Sequence, residues 1–303
     1  MIIKEYAPIV AFTYARLDHT KKMIDSLLAN EESAMSDIYI FSDGAKNPSK
    51  EGNVNQVREY IHSIAGFKSI NIIERDRNWG LGKNLIDGIS RIVKEKKRVI
   101  VVEDDLVFSR YFLKFMNEAL DKYKDVEDVS AISGFVNPVD VELPDTFFLR
   151  YFACWGWATW DRAWNLFEED AVELRKKLIA HGNIREFNID HSVSYMRMLE
   201  DHINGHINSW AIRFYASSFI NDKYILYPGK SLTMQNGIDG SGTHSGVGND
   251  YDVEIAQAPI IIKPLDIVVN KRIYKAFCDF YLRIGGWKNR LKRYFLILNL
   301  LKS

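Results

Sequence analysis

The chain has 303 residues, 47% of them hydrophobic and 13% aromatic, and its 40 basic residues balance 40 acidic ones. This composition predicts a folded protein with a substantial core, and the net charge of zero argues against a general nucleic-acid-binding protein. The two cysteines, Cys154 and Cys278, exclude a disulfide scaffold or a multi-cysteine zinc site and indicate a reducing compartment, so we expect a cytoplasmic protein.

The first half of the sequence alternates between apolar strands and amphipathic helices. Strands are predicted within the segments 8–14, 37–44 (which ends in a turn), 69–76 and 98–105, and helices over 19–30, 54–66, 81–96 and 109–123. Such alternation predicts an α/β fold with a doubly wound, mostly parallel sheet. Ligands of such sheets bind outside the carboxyl ends of the strands, so the residues that directly follow the strands are the first candidates for a site.

The second half is less regular. Aromatic side chains are frequent over 147–167, residues 171–206 have a helical pattern, and 228–250 form a glycine-rich loop. Because no repeat or low-complexity linker separates them, we expect one compact unit divided as 1–135, 136–265 and a tail at 266–303. We find no secretory signal and no uninterrupted apolar run of about 18 residues, so no membrane-spanning helix is expected.

Three consecutive carboxylates, Glu103, Asp104 and Asp105, follow the fourth predicted strand. Carboxylates this close repel one another, and burying them without a cation is unfavourable. Hard divalent cations such as Mg²⁺ and Mn²⁺ bind carboxylate oxygens and bridge phosphates, so this placement favours a metal–phosphate site. The alternative is an acidic turn at the start of the helix predicted near Ser109.

Other polar residues follow the remaining strands. Asp43 is either part of an Asp-Gly turn or an acceptor for a base or ribose, and Arg16 is either a solvated loop charge or a phosphate or base contact. The loop 75–84 contains two glycines, an aromatic residue and three cations, Arg75, Arg77 and Lys83, ahead of a helix. This pattern is typical of an anion site or of an ordinary helix N-terminus.

The second half also holds residue types that can bind or react with sugars. Four of the seven tryptophans, Trp155 and Trp157 among them, lie within 155–164, and Trp210 follows later; they form either core or a sugar-stacking wall. Asp201, preceded by Glu200, is either a general base or a surface charge at a helix end.

His244 lies in the glycine-rich loop. Long loops of this composition form active-site lids, so His244 is either a metal or phosphate contact or a solvated side chain. The loop itself is a candidate lid in both cases.

Together these motifs resemble those of GT-A glycosyltransferases, in particular the branch of N-acetylglucosaminyltransferase I and bacterial family 2-type sugar transferases. The resemblance runs from Pro8 to His244 and is carried by TYAR, SDG and VVEDD after the first, second and fourth strands, and by the WGWATW and Gly/His-rich segments. It implies a GT-A fold and the transfer of a sugar from a nucleoside diphosphate donor, with a divalent cation, Mn²⁺ or Mg²⁺, on the diphosphate.

The resemblance also implies residue roles. Positions that hold the nucleotide base, most often uracil, are matched by Arg16 and Asp43; those near the ribose and donor sugar by Glu103 and Asp104; and the metal-binding carboxylate by Asp105. The cations Arg77, Lys83 and His244 are expected to contact the donor. The expected base is Asp201, with Asp190 and Glu200 as competitors, and one base without a nucleophilic carboxylate implies inversion.

The resemblance further implies UDP-GlcNAc as the donor and a glycan or lipid-linked acceptor in surface polysaccharide or lipopolysaccharide synthesis. Two other functions remain as alternatives. A sugar-nucleotide nucleotidyltransferase normally has a glycine-rich basic loop after the first strand, where this chain has TYARLDHT. A non-catalytic carbohydrate-binding protein on the same fold would not need the intact EDD triplet.

The neutral total charge hides an asymmetry. From Asn270 onward the chain has nine basic residues and one acidic residue, so this end carries +8 and residues 1–269 carry −8. The end also places apolar residues on one helical face, namely Trp287, Leu291, Tyr294, Phe295 and Leu298. Such a helix either lies on an anionic membrane, here the cytoplasmic face of an inner membrane, or packs on the body or in a homodimer.

Overall fold

The fold is built on a central β-sheet, seen in a computed structural model that describes residues 5–237 and 250–285. The strands within these ranges are β1 (Ile9–Thr13), β2 (Asp37–Ser42), β3 (Ser69–Glu74), β4 (Arg98–Glu103), β5 (Leu106–Phe108), β6 (Val129–Ser133), β7 (Thr146–Leu149), β8 (Trp157–Trp160), β9 (Tyr224–Pro228) and β10 (Thr233–Gln235). Eight of them form one sheet in the order β3-β2-β1-β4-β8-β6-β9-β7, and β5 pairs with β10 in a separate ribbon. Strands β7 and β8 are antiparallel to their neighbours, whereas the other six strands of the sheet run in one direction.

Helices cover both faces of this sheet. The α-helices of the described ranges are α1 (Leu17–Leu28), α2 (Pro48–Ser63), α3 (Leu81–Lys96), α4 (Phe112–Lys122), α5 (Asp161–Trp164), α6 (Ala171–His181), α7 (Ile184–Phe187), α8 (Tyr195–Ile203), α9 (Trp210–Ile220) and α10 (Lys271–Ile284). Helices α1, α2 and α4 pack on one face, and α3, α9 and α10 pack on the other.

Side chains of each strand alternate between the two cores. On β1, Val10 and Phe12 belong to the core under α3, whereas Ile9 and Ala11 belong to the core under α1. All four side chains are buried. A strand covered on both faces needs a continuous apolar sequence, which explains why β1 and β4 contain no polar alternation.

The predicted α/β fold with a mostly parallel sheet is confirmed. Two details differ. The second helix starts at Pro48 rather than at residue 54, because proline fits the first turn of a helix, and it ends at Ser63 rather than at residue 66, because Ile64 is extended. After the acidic triplet the chain forms β5 before α4, so the triplet does not cap a helix near Ser109.

The two predicted halves share one sheet, because β6 from the first half lies between β8 and β9 from the second. Helix α10 falls within the segment predicted as a tail, yet Phe277 and Phe280 on this helix are buried in the core. Residues 271–284 are therefore integral to the domain. None of the helices in the described ranges is both long and apolar enough to cross a membrane.

Candidate active site

The carboxyl ends of β1 and β4 lie side by side at one edge of the sheet. The two strands are parallel neighbours, and Phe12 near the end of β1 is in register with Glu103 at the end of β4. This register brings the segment after β1 to the acidic triplet Glu103–Asp105. The sheet therefore gathers at one edge the residues that the sequence places after separate strands.

Arg16 forms ion pairs with both aspartates of the triplet. Its Nη2 donates to Oδ1 of Asp104 and lies 3.2 Å from Oδ2 of Asp105. Asp104 is buried and also accepts a hydrogen bond from the backbone N–H of Tyr14. The side chain of Asp105 remains 21% exposed. The triplet thus presents Asp105 toward solvent, and the contact of Arg16 with a nucleotide base stays a prediction.

The triplet carries more negative charge than Arg16 neutralises. Burial raises the pKa of Glu103 well above its ordinary value, the charges of Asp105 and Asp104 raise it further, and Arg16 opposes them. Burial also raises the pKa of Asp104 against the effect of Arg16. For Arg16, burial disfavours the charged form, but the two aspartates outweigh it and raise the pKa. A further cation would relieve this repulsion.

The triplet suits a divalent cation whose coordination is completed by other ligands. Among the described residues, no three His, Cys, Asp or Glu side chains form a metal-binding group of their own. Mg²⁺, however, commonly binds one or two carboxylates and fills its other positions with water and substrate phosphates. The partly exposed Asp105 beside Asp104 fits that mode of binding.

The ribbon of β5 and β10 brings the chain back over the triplet. The backbone N–H of Asn236 donates to the carbonyl of Asp105 at 2.7 Å. A Cβ on Gly237 would lie 2.7 Å from the Cβ of Asp105 and 3.1 Å from Nη1 of Arg16, so only glycine fits here. Within the described ranges that buried Nη1 has no hydrogen-bond acceptor, which leaves it capacity for an oxygen of a ligand.

Asp43 anchors the loop after β3. Its Oδ1 accepts hydrogen bonds from the N–H of Gly44 and of Trp79, and its Oδ2 accepts from the N–H of Gly80 and the amide of Asn78. The residue is only 5% exposed. These four bonds show that Asp43 holds the loop, and its predicted contact with the nucleotide base or ribose stays a prediction.

Two cations, Arg75 and Lys83, lie against the ring of Trp79 in this loop. The guanidinium of Arg75 lies 4.0 Å from the ring centre of Trp79, and Nζ of Lys83 lies 4.6 Å from the same centre. Arg75 is buried and its Nε donates to Oδ1 of Asn84, so it is a structural cation. Lys83, on the first turn of α3, is exposed and available to an anion.

Arg77 lines an open polar cleft of about 390 Å³ at the carboxyl ends of β2 and β3. Arg58 and Arg75 also line it, as do the carboxylates of Glu51 and Asp76, so the cleft offers both hydrogen-bond donors and acceptors. A Cβ on Gly44 would lie 2.4 Å from the carbonyl carbon of Arg77. The glycine of the SDG motif is therefore needed for this close approach of two backbones.

Two of the three tryptophans predicted to bind sugar belong to the core. Trp157 is fully buried and Trp210 is 4% exposed, and their rings stack with centroids 5.5 Å apart. Neither ring offers a face to a ligand, so the prediction is wrong for both. Trp155 is partly exposed and contacts Phe135 and Tyr251 edge-on, so its role as a sugar platform stays a prediction.

Side-chain hydroxyls from three different strands hold the segment that carries Trp155. The carbonyls of Tyr151, Ala153 and Trp155 accept hydrogen bonds from Tyr227, Ser133 and Thr233, at 2.9, 3.5 and 2.8 Å respectively. Cys154 lies in this segment, and burial together with the charges of Glu103 and Asp105 raises the pKa of its thiol. The segment therefore borders the acidic triplet.

All three candidates for the base have basic partners. Asp190 forms an ion pair with Arg185, and a carboxylate oxygen of Glu200 lies 3.6 Å from Nε of Arg175 on α6. Oδ2 of Asp201 lies 3.8 Å from Nε of Arg197. These ion pairs do not distinguish the three, and the choice of the base stays a prediction.

Asp201 is connected to the edge of the sheet through the loop that follows α8. Its Oδ1 lies 3.5 Å from Nδ1 of His206, and its carbonyl accepts hydrogen bonds from the N–H of His206 and of Ile207. The loop then reaches α3, because Oδ1 of Asn208 lies 3.1 Å from the position that a Cβ on Gly82 would take. The loop 204–209 therefore joins Asp201 to the helix that follows the Arg77 cleft.

His202 stabilises the same loop, a role that the sequence analysis missed. Its Nδ1 is 3.3 Å from the N–H of Ser209 and can accept a hydrogen bond from it when the ring is neutral. Burial and the charge of Arg213 lower the pKa of His202, whereas the carbonyl of Ile207 opposes them. The sequence feature that could have predicted this role is the repeated HIN in LEDHINGHINSW, because hydrogen bonds between polar side chains and the nearby backbone favour turns. His244 and the face built on Trp287 lie outside the described residues.

Residues 9–198 match the model of Glycosyl transferase family 2. The chain belongs to this family. The match begins at β1, includes Arg16, Asp43 and the acidic triplet, and ends three residues before Asp201. It confirms the prediction of a glycosyltransferase with a GT-A fold, while the narrower resemblance to the N-acetylglucosaminyltransferase I branch stays a prediction.

Solved structures resemble the chain weakly. TarS of S. aureus (residues 1–349) has a TM-score of 0.31 and 12% identity, with 41% of this chain and 34% of that chain covered. Mannosyltransferase PcManGT from Pyrobaculum calidifontis, in complex with GDP-Man and Mn²⁺, has a TM-score of 0.41 and 9% identity, with 72% and 70% covered. The chain spans about a third of the TarS fragment, and likenesses this low carry no argument about activity. No curated protein sequence matches the chain.

Proposed function

We propose that this member of Glycosyl transferase family 2 moves a sugar from a nucleoside diphosphate donor to a hydroxyl group, with inversion and with a divalent cation. The observation that supports the proposal best is the partly exposed Asp105 beside Asp104 at the carboxyl end of β4. A carboxylate cluster that lacks positive charge, at the ligand-binding edge of a parallel sheet, suits a diphosphate bound through a cation.

The donor lies across the carboxyl ends of β2, β1 and β4. Its nucleoside, which is uridine if the donor is a UDP-sugar, occupies the polar cleft beside Arg77. Its diphosphate extends to Asp105. Neighbouring strands are about 4.8 Å apart, so β2 and β4 are separated by roughly 10 Å, which a nucleoside diphosphate can span. Lys83 adds positive charge near this path, and Asp43 acts indirectly by holding the loop that carries Arg77.

Asp105, with Asp104, is the proposed ligand of the cation, which when bound neutralises charge on the departing diphosphate. Arg16 orients both carboxylates, and its buried Nη1 donates to a donor oxygen. Glu103 faces the segment that carries Cys154 and accepts a hydrogen bond from a hydroxyl of the donor sugar. These contacts favour the charge distribution of the leaving group rather than of the intact donor.

Asp201 is the proposed base. Its carboxylate takes the proton of the acceptor hydroxyl while the oxygen attacks the anomeric carbon from the face opposite the diphosphate. The bond to the diphosphate oxygen breaks in the same displacement, so the configuration inverts. Trp155 is the proposed platform for the acceptor sugar. We further propose N-acetylglucosamine as the donor sugar and a glycan or lipid-linked acceptor of surface polysaccharide synthesis.

The test is a screen of nucleotide sugars with the full-length chain, read by thermal shift and by donor hydrolysis with Mn²⁺, with Mg²⁺ and with EDTA. The proposal expects one nucleotide to raise the melting temperature only when a cation is present, and its sugar to be released slowly. A cation-independent shift contradicts the metal assignment. Binding without turnover, with every acceptor and with water, favours a carbohydrate-binding protein instead.

A further inference from the structure

A second cleft, distinct from the one beside Arg77, lies at the carboxyl ends of β6 and β9. It measures about 290 Å³ and is enclosed by the segments 136–143, 229–231 and 252–254. Half of its lining residues are aliphatic, namely Val136, Pro138, Val139, Val141, Leu143 and Val253. The proposed function leaves this cleft without a role.

The rim of this cleft is acidic. Four exposed carboxylates lie on the lining segments, on Asp140, Glu142, Asp252 and Glu254. Asp140 pairs with Arg283, and Glu254 lies 3.6 Å from Nζ of Lys230. Within the described ranges Glu142 and Asp252 have no cationic partner. An occupant that combines apolar side chains with positive charge would match both the lining and the rim.

Helix α10 ends at the same cleft. Arg283, in its last turn, reaches Asp140 and donates to the carbonyl of Pro138 at 3.3 Å. Tyr281, two residues earlier, accepts a hydrogen bond from the amide of Asn137 at 3.0 Å. Two side chains of α10 therefore fix its end to the segment that forms one wall of the cleft.

The chain continues beyond this point for 18 residues, 286–303, in the sequence GWKNRLKRYFLILNLLKS. Trp287 follows Arg283 by four residues, and four residues span at most about 14 Å, so this tether keeps it within reach of the cleft. Lys288, Arg290 and Lys292 come next, with apolar residues between and after them. This composition has the two properties that the cleft requires.

We infer that residues 286–303 bind the chain's own cleft between 136–143 and 252–254, with Trp287 against the aliphatic lining and the basic residues beside Glu142 and Asp252. The tether makes the contact intramolecular, so modest attraction is sufficient for it to form. Residues 286–303, called the tail from here on, then cover the carboxyl ends of β6 and β9, which lie next to the part of the sheet that carries Asp105. This inference does not depend on the proposed activity.

Hydrogen–deuterium exchange of the full-length chain tests the inference. Lys288→Glu/Arg290→Glu is the tail variant, and Lys271→Glu/Arg272→Glu, at the exposed start of α10, is the matched control. Exchange at 136–143 and 252–254 is expected to become several-fold faster in the tail variant and in Trp287→Ser, and to stay unchanged in the control. Equal exchange in all four proteins overturns the inference.

A charge swap separates a direct contact from a general loss of stability. Glu142→Lys/Asp252→Lys alone is expected to speed exchange in the cleft, and its combination with Lys288→Glu/Arg290→Glu is expected to restore the slow exchange of the wild type. Failure of the combination to restore it counts against the pairing of tail and rim.

Two other occupants are distinguished in the same samples. Sedimentation with vesicles of equal phosphatidylcholine and phosphatidylglycerol measures lipid binding. Vesicle binding that the tail variant loses, with cleft exchange that it does not change, assigns the tail to a lipid surface and overturns the inference. Cleft protection that disappears on dilution assigns the tail to a second copy and overturns it as well.

Discussion

The guanidinium of Arg16 lies 3.2 Å from the carboxylate of Asp105, although the two residues follow different strands. The parallel pairing of β1 with β4 makes this contact, which orients Asp105 and leaves it accessible. Arg16 supplies one positive charge to three carboxylates, and burial together with the charges of Asp105 and Asp104 raises the pKa of Glu103. A second cation is therefore expected to stabilise the site.

Replacing Asp105 separates stability from function. Asp105→Asn removes one charge from a repelling cluster, so the melting temperature without ligand is expected to stay equal or rise. Cation-dependent stabilisation by the nucleotide is expected to disappear, and transfer to fall roughly 100-fold or more, the scale for losing one electrostatic contact to a reacting group. Glu59→Gln, an exposed neutralisation on α2, is the control. Full transfer by Asp105→Asn would refute the metal assignment.

The base assignment predicts a selective loss of turnover. Asp201→Asn keeps the shape of the side chain but cannot take a proton, so kcat is expected to fall by about 10²–10⁴ with little change in KM for the donor. Glu200→Gln and Asp190→Asn are the controls, because these residues are the competing candidates for the base. Steady-state kinetics with the identified donor measures all three. If a control variant loses turnover and Asp201→Asn does not, the base is that residue.

Replacing glycine by alanine is expected to have opposite effects on stability at Gly44 and at Gly52. In Gly44→Ala the new Cβ would lie 2.4 Å from the carbonyl carbon of Arg77, so the loop must shift, and stability and nucleotide affinity are both expected to fall. Gly52, in α2, has open space around the same position. Gly52→Ala is expected to stabilise the protein by about 0.5–1 kcal/mol. Denaturant unfolding and nucleotide titration measure both variants, and equal effects would contradict the loop geometry.

The two tryptophans of the WGW motif are expected to behave differently. Trp157→Ala leaves a cavity in the core and is expected to cost about 3–5 kcal/mol of unfolding free energy. Trp155→Ala removes a partly exposed ring and is expected to cost less, while raising KM for the acceptor. Thermal unfolding and acceptor titration distinguish the two. An unchanged acceptor KM in Trp155→Ala rules out the sugar platform.

Acidification is expected to weaken the loop that carries Asp201. The pKa of His202 is lowered in the folded state, so its contribution to stability is present above about pH 6.5, the unfolded value, and is lost as the pH falls through the lower folded value. His202→Gln does not titrate. At pH 7.5 this variant is expected to melt at a lower temperature than the wild type. At pH 5 the difference between the two melting temperatures is expected to be smaller by roughly 1–3 °C. A difference that grows on acidification would contradict the prediction.

The sequence pattern predicted the sheet, its first four strands and the edge that gathers the acidic triplet, because buried parallel strands have continuous apolar sequences. Asp43 and Trp157 could not be assigned in the same way. A carboxylate after a strand has the same sequence signature whether its oxygens accept bonds from a ligand or from Trp79 and Gly80 of its own chain. A tryptophan next to glycines has the same sequence pattern whether it is exposed or buried. Trp157 is buried because β8, which carries it, pairs with β4 and β6 in the middle of the sheet.

The connection of Asp201 to α3 and the packing of α10 depend on contacts between segments that are distant in the sequence. The link from Asp201 through Asn208 to Gly82 joins two segments more than a hundred residues apart, and nothing local in either segment encodes it. Helix α10 shows the same limit. It lies in the segment 266–303, for which the charge left a membrane, the body and a second subunit as alternatives, and its Phe277 and Phe280 pack in the core of the domain.

The carbonyls of Tyr151, Ala153 and Trp155 accept hydrogen bonds from hydroxyl side chains, and the neighbouring Gly156 accepts one from the backbone N–H of Gly134. A backbone bond survives most substitutions because it is made by the main chain, whereas each of the hydroxyl bonds depends on one side chain. Exchanging a single hydroxyl can therefore shift the ring beside the acidic triplet and leave the eight-stranded sheet untouched. If Trp155 is the sugar platform as proposed, a single side-chain exchange far from the reacting atoms is then expected to change the sugar preference without changing the fold.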